Sequence, residues 1–486
     1  MKGEGIRLHV RPPRSKRGML WRGKLTLTAL GLAVAGAGAE LLGTSADPGP
    51  IDPAGSAPSA VAGEPATDLG SRPAQPAPQR RGPRNDLAPD ELLSRIPITA
   101  ARLEELLAAG PASASDVRHL VELVPPPASR ADLAPPLRVD YTLDRELMRE
   151  VFEILERGHV ELGHAIVLEP TSGRVLAYAS TDPVRFPPDR TYPAASLVKV
   201  ITAAAALDGS PELARQECRY VGNPYRLTRS RVDPPRSGNS VTLRKALATS
   251  NNQCFAQLAV HRIGSDGLLG AIDRFGWLSP PAPVHPAGEA RASEDPLELG
   301  KLGSGLAGSR ITPLHAAQLA ATLVHGQRVE PYWIAAVSDG SGRRLSVPHA
   351  PAMEVLTPEL AKELRSMLVD TTERGTARRA FRTRRGPLLG PVRVAGKTGS
   401  LSGHDPDGRY EWFVGVAPAD EPKIALAVVL VQQPRWWVTP SQVAAETLKV
   451  IFCSPGPCRP EAADRWLVDP APPALRTVER SARAKS

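Results

Sequence analysis

The chain has 486 residues, enough for one large core with accessory segments, and its 42% hydrophobic and 23% charged residues are ordinary for a globular protein. Its 51 prolines are in excess and clustered, which marks part of the chain as linker rather than core. The 60 basic against 51 acidic residues leave a net charge of +9, much of it in the first 24 residues. The other basic clusters, Arg226 to Arg236 and Arg378 to Arg393, carry no aromatic ladder and no zinc spacing. Nucleic-acid binding therefore has little support, and a solvated surface or attraction to an anionic envelope polymer remains. No Cys/His pattern suggests a metal site, and no cofactor is implied.

In chain order, the N-terminus reads as a targeting segment. Lys2, Arg7, Arg11, Arg14, Lys16, Arg17, Arg22 and Lys24 precede an apolar run from Leu25 to Ala39, followed by Leu41 and Leu42. Cations ahead of an apolar run favour the cytoplasmic side for residues 1–24. The run within 25–43 is short for a membrane span, and Ala37-Gly38-Ala39 has the small-x-small pattern of a cleavage site. A retained single-pass anchor and a cleaved signal peptide both stay open, and either exports the rest of the chain. Residues 44–87 read as a Pro/Ala-rich linker. Apolar groups at Leu92, Leu93 and Ile96, at Leu103, Leu106 and Leu107, and at Val117, Leu120 and Val121 predict a small helical module over 88–130.

A larger domain is expected over 136–455. It opens with a helix over 143–157 and a hairpin of two apolar strands, 164–168 and 174–178, joined by Glu169-Pro-Thr-Ser-Gly173. Helical patterns follow over 196–207, 241–263, 312–324 and 357–372. Strands return over 392–397, 411–417 and 423–430, then a helix over 440–452. Strands at both ends with helices between them predict an α+β fold: an antiparallel sheet flanked by helices, shared by the two ends of the domain. Residues 460–486 read as a flexible tail. Of four cysteines, Cys453 and Cys458 could close a small disulfide loop, and Cys254 reads as a buried thiol.

Three short motifs carry chemistry. In Ser196-Leu-Val-Lys199 the i, i+3 spacing puts a hydroxyl and an amine on one helix face. Serine needs a base, and lysine serves only if burial or a neighbouring cation depresses its pKa; the apolar helix supplies the burial. Ser250-Asn251-Asn252 offers a hydroxyl to relay a proton and an amide to hold the lysine and a peptide carbonyl, although it also suits a helix N-cap. Lys397-Thr398-Gly399-Ser400, placed at the end of a strand, offers a cation and a hydroxyl for a carboxylate, with a glycine that lets a ligand approach.

In this order the trio resembles the penicillin-binding transpeptidase domain of the β-lactamase-like superfamily. The resemblance extends to Asp140-Tyr-Thr-Leu-Asp144, Ala165 to Ser180, Thr312-Pro-Leu-His-Ala-Ala-Gln-Leu, Gly375-Thr-Ala, and Trp412-Phe-Val-Gly-Val-Ala-Pro418. It implies that Ser196 attacks a D-Ala-D-Ala stem peptide to form an acyl-enzyme, with Lys199 as base. Ser250 would relay a proton to the leaving D-alanine while Asn252 positions Lys199. Lys397 and Thr398 would hold the terminal carboxylate, and the N–H groups of Ser196 and Ser400 would form the oxyanion hole. It further implies peptidoglycan stem peptides and β-lactam antibiotics as ligands, and cell-wall synthesis proteins as possible partners. The expected site is on the periplasmic or extracellular side of the membrane. Ala195 stands where the family often has Gly, and Asn251 stands in the middle of the second motif; neither removes a reacting group. D,D-carboxypeptidase or β-lactamase activity is the alternative, and a non-catalytic sensor or divisome scaffold a further one.

Overall fold

The computed structural model describes residues 97–108, 118–126, 135–345, 347, 349–432 and 437–468. The expected targeting segment, the linker and the first apolar group of the N-terminal module lie outside them. Among the described residues, no helix is long and apolar enough to cross a membrane.

Along the chain the elements are β1 (Ile98–Thr99), α1 (Ala100–Ala108), β2 (His119–Val124), β3 (Leu137–Asp144), α2 (Arg145–Arg157), β4 (Gly163–Leu168) and β5 (Val175–Ser180). The middle is mostly helical: α3 (Val198–Gly209), a hairpin of β6 (Glu217–Tyr220) and β7 (Asn239–Thr242), α4 (Leu243–Thr249), α5 (Asn252–Leu258), α6 (Pro296–Ser304) and α7 (Pro313–His325). Then follow β8 (Ile334–Ser338), α8 (Pro358–Glu373), β9 (Ala395–Gly403), β10 (Gly408–Ala417), β11 (Ile424–Gln432) and α9 (Pro440–Cys453).

The main sheet has six strands in the order β1-β5-β4-β11-β10-β9, antiparallel except for the β1–β5 pair. The first and last parts of the domain meet where β4 pairs with β11, as the strand pattern predicts. All residues of β4 and β5 and nearly all of β11 are buried in succession, so both faces of the sheet are covered. The helix α7, buried from Pro313 to Val324, packs on β4, β10 and β11, while α2 and α9 pack on β5, β10 and β11. Thr312 caps α7 with His315 in a reciprocal box, a contribution of about 1 kcal/mol, and Pro313 occupies the first turn where its missing N–H costs nothing.

Three expectations are corrected. In the third apolar group of the N-terminal module Leu120 and Val121 are not helical but lie in β2, which pairs with β3, while Val117 lies outside the described residues. A register shift between His119 and Val121 breaks the alternation, so two successive side chains face inward and imitate a helical period. Among the described residues before β3, only α1 is a helix, and β1 and β2 add to sheets of the larger domain. The segment after 460 is not a loose tail as far as Val468. Residues Pro460–Trp466 form a 3-10 helix with Trp466 buried. The guanidinium of Arg465 stacks 4.1 Å from that ring, and Arg174 donates to the carbonyls of Leu467 and Val468. Cys254 is not a thiol but is bonded to Cys218, since the β6–β7 hairpin lies against α5. The expected Cys453–Cys458 bridge is present.

Candidate active site

Ser196 sits in a 3-10 turn, Ala195–Leu197, that feeds directly into α3. Ala195 is held at φ +50°, a conformation that costs a non-glycine residue of order 1–3 kcal/mol and is met where the surroundings impose it. The carbonyl of Ala195 packs so closely on Gly305 that a Cβ there would stand 2.0 Å from its oxygen. Gly305, itself at φ +70°, thus permits the C-terminus of α6 to press against the serine turn.

Lys199 lies one helical turn along, wholly buried. Its Nζ has three neighbours: Ser196 Oγ at 2.7 Å, Asn252 Oδ1 at 2.7 Å and the Ser304 carbonyl at 2.6 Å. Burial, and after it the Lys397 cation, push its pKa well below the usual lysine value. A neutral amine has two N–H bonds and one lone pair. Two of the neighbours are carbonyl oxygens that only accept, so they take the two N–H bonds and turn the lone pair toward the serine hydroxyl. That is the arrangement of a base poised to receive the Ser196 proton.

The second motif is both a cap and a wall of the site. Ser250 ends α4 in the left-handed region at φ +58°, and Asn251 caps α5 by accepting from the Cys254 N–H. The N-cap role and the chemical role are therefore divided between adjacent residues. The Asn252 amide donates to the Tyr225 carbonyl at 2.7 Å, which fixes its oxygen toward Lys199. Ser250 Oγ accepts from Lys397 Nζ at 3.1 Å.

The third motif is in the middle of β9 rather than at its end, because the strand runs on to Gly403. β9 is the edge of the sheet, so among the described residues its outer backbone groups have no neighbouring strand. Gly399 lets it lie against the serine turn: a Cβ there would be 3.3 Å from those of Ala195 and Trp412. Lys397 is fully buried beneath the cleft, and burial holds its pKa down to about 7; its ammonium reaches Ser250 Oγ and the Thr398 carbonyl. Thr398 does line the cleft, joined at 2.5 Å to the hydroxyl of Thr376.

The cleft so formed, about 710 Å³, is lined by Ser196, Ser250, Asn252, Thr398, Gly399 and Ser400 among others. The structure brings the eight candidate residues, Ser196, Lys199, Ser250, Asn252, Lys397, Thr398, Gly399 and Ser400, to one place. Four contributors escape the sequence reading. Thr376 follows Gly375, whose close approach to the Ala248 carbonyl (2.2 Å from a Cβ placed there) seats it beside Thr398; the Gly375-Thr-Ala match is its one signal. Ser304 and Tyr225 act through main-chain carbonyls, which no side-chain motif records. Arg409 donates to Ser400 Oγ at 2.5 Å and pairs with the partly buried Glu411 at 3.2 Å. Among the described residues no cluster of His, Cys, Asp or Glu could hold a metal ion.

An alcohol facing a buried lysine amine of depressed pKa, flanked by a second amine and a second hydroxyl on an antiparallel α+β scaffold, defines a serine acyl-transfer site of the lysine-base kind. The chain belongs to the penicillin-binding protein transpeptidase domain family, whose model matches residues 163–452. It is similar to the peptidoglycan D,D-transpeptidase PbpA of Mycolicibacterium smegmatis, with 28% identity over 60% of this chain and 67% of that one. It is also similar to the stage V sporulation protein D of Bacillus subtilis, with 27% identity over 63% of this chain and 50% of that one. In fold, it matches the ceftriaxone acyl-enzyme of penicillin-binding protein A from Mycobacterium tuberculosis with a TM-score of 0.55, at 24% identity over 65% of this chain and 80% of that one.

Proposed function

We infer that the protein is a peptidoglycan D,D-transpeptidase and a target of β-lactams. The observation that carries this is the Lys199 amine, held 2.7 Å from Ser196 Oγ by two carbonyl acceptors on its other sides. Lys199 takes the Ser196 proton as the serine oxygen attacks the carbonyl between the two D-alanines of a stem peptide. The peptide C–N bond then breaks as Ser250 gives its proton to the departing D-alanine nitrogen and regains one from Lys199, and an ester to Ser196 remains. The amine of a second stem peptide attacks that ester, forms the cross-linking amide, and returns the proton to the serine oxygen. The N–H groups of Ser196 and Ser400 hold the oxyanion, a contribution of about 3 kcal/mol per donor. The hydroxyls of Thr398 and Thr376 receive the terminal carboxylate at the cleft, with Lys397 supplying positive charge from beneath. A β-lactam follows the first half of this course, and its ring-opened ester stays on Ser196.

The domain works outside the cytoplasmic membrane, tethered or exported through residues 1–43. Two disulfides in the described body support an oxidising compartment. Proteolysis of intact cells checks this: the domain is cut without lysis if it faces outward, and protected if it does not. The activity is tested by incubating the protein with a fluorescent penicillin. A long-lived adduct that disappears in Ser196→Ala supports the transpeptidase. Rapid turnover points to a β-lactamase, and no adduct to a non-catalytic scaffold.

A further inference from the structure

The transpeptidase chemistry leaves the two basic clusters of the sequence without a task. In the cluster after α8, the flanking arginines are paired: Arg374 lies near Asp370 and Glu373, and Arg393 near Glu373 and Asp420. The five between them, Arg378, Arg379, Arg382, Arg384 and Arg385, are exposed and have no ion-pair partner among the described residues. They are presented on a firm support. Residues Arg378–Phe381 form a helical turn, Arg382–Thr383 and Gly386–Pro387 a hairpin, and Phe381 is buried 5.4 Å from the Phe413 ring. Leu388 N–H closes the unit onto the Phe381 carbonyl at 2.9 Å. Arg379 lines the cleft that holds Ser196. The second cluster also starts at the cleft, since Tyr225 lines it and Arg226 follows, exposed and without an ion-pair partner among the described residues.

We propose that this arginine finger binds the polymer that carries the reacting peptide, through peptide carboxylates beyond the terminus held in the cleft. This rests on the acyltransferase reading of the cleft. Five exposed cations within eight positions, without an ion-pair partner among the described residues, repel one another, and a chain of anions relieves that repulsion. A single peptide end cannot reach them all, whereas a glycan bearing repeated peptides can. Continuity with the cleft favours that polymer over an unrelated phosphodiester polymer.

The test compares the full chain with its R382Q/R384Q/R385Q variant and with R149Q/R215Q/R262Q, which loses the same charge at three exposed arginines elsewhere. Binding is read by co-sedimentation with insoluble peptidoglycan, with its peptide carboxylates either free or converted to amides. At low salt the finger variant binds free-carboxylate peptidoglycan about tenfold more weakly, the control variant binds like wild type, and amidation removes the difference. Equal binding by the finger variant overturns the proposal. So does a difference that survives amidation, or a loss confined to a phosphodiester wall polymer. Labelling of Ser196 by fluorescent penicillin is followed in the same samples. Its absence from the wild type would defeat the transpeptidase reading, while the sedimentation result stands independently of it.

Discussion

The Cys218–Cys254 bridge lies two residues from Asn252, and its removal is a sharp perturbation of the site from outside the cleft. The double variant C218A/C254A opens a loop whose ends are 36 residues apart. Loop-closure entropy assigns about 3 kcal/mol to a 15-residue loop and about 4.7 to a 100-residue one, so this bridge contributes about 4 kcal/mol. For a domain the size of the matched segment, the usual unfolding entropy per residue converts that into a fall in Tm of about 6 °C. The loss is not confined to stability. α5 begins at Asn252 and is held at its N-terminus by Asn251 and on its flank by the bridge to β6. Releasing the flank lets the Asn252 oxygen leave Lys199, and an error of about 1 Å in a positioning group costs up to a hundredfold in rate. Differential scanning calorimetry and the rate of fluorescent-penicillin labelling read the two effects on one sample. A Tm within 1–2 °C of wild type, with an unchanged labelling rate, would refute the argument.

Further outcomes are expected. In Lys199→Arg the guanidinium cannot give up its proton, so labelling falls by about 10²–10⁴ and stays low even at pH 9, whereas wild type labels at neutral pH; recovery of the variant at high pH would contradict the assigned base. Lys397 is charged below about 7 when folded but up to 10.5 when unfolded, so folding releases its proton in that window and wild-type stability rises with pH across it. The Tm of Lys397→Met relative to wild type is therefore highest below pH 7 and declines toward pH 10; parallel curves would contradict the buried cation. Thr376→Val removes the hydroxyl beside Thr398 and slows acylation by peptides with a free terminal carboxylate about five- to tenfold, but not by their C-terminal amides. An equal loss on both would show that Thr376 acts on the fold and not on the carboxylate.

The parts of the site that rest on side chains at short spacing are legible in the sequence. Ser196 and Lys199 declare themselves as an i, i+3 pair on an apolar helix, and the burial that lowers the lysine pKa is written in the residues around it. What is not legible is carried by the backbone and by pairs remote in sequence. The Ser304 carbonyl reaches Lys199 only because Gly305 admits Ala195, a contact between segments a hundred residues apart. Cys218 and Cys254 each look unremarkable until the β6–β7 hairpin brings them together. β2 was hidden by its irregular register, which gave a strand the apolar spacing of a helix. Trp466, alone in a polar stretch, finds its stacking partners in Arg465 and in Arg118 from the far end of the chain.

The open flank of β9 has a cost as well as a use. A strand left unpaired so that an extended substrate can lie along it also invites the same strand of another molecule, the usual route to sheet-to-sheet self-association. Ser400 and Ser402, both turned to solvent, and the small Gly399 and Gly403 give that margin little apolar surface to bury against a twin. The sequence beyond the lysine motif thus guards solubility: it keeps the margin available to a peptide held in place by its own carboxylate and poor at holding a copy of itself.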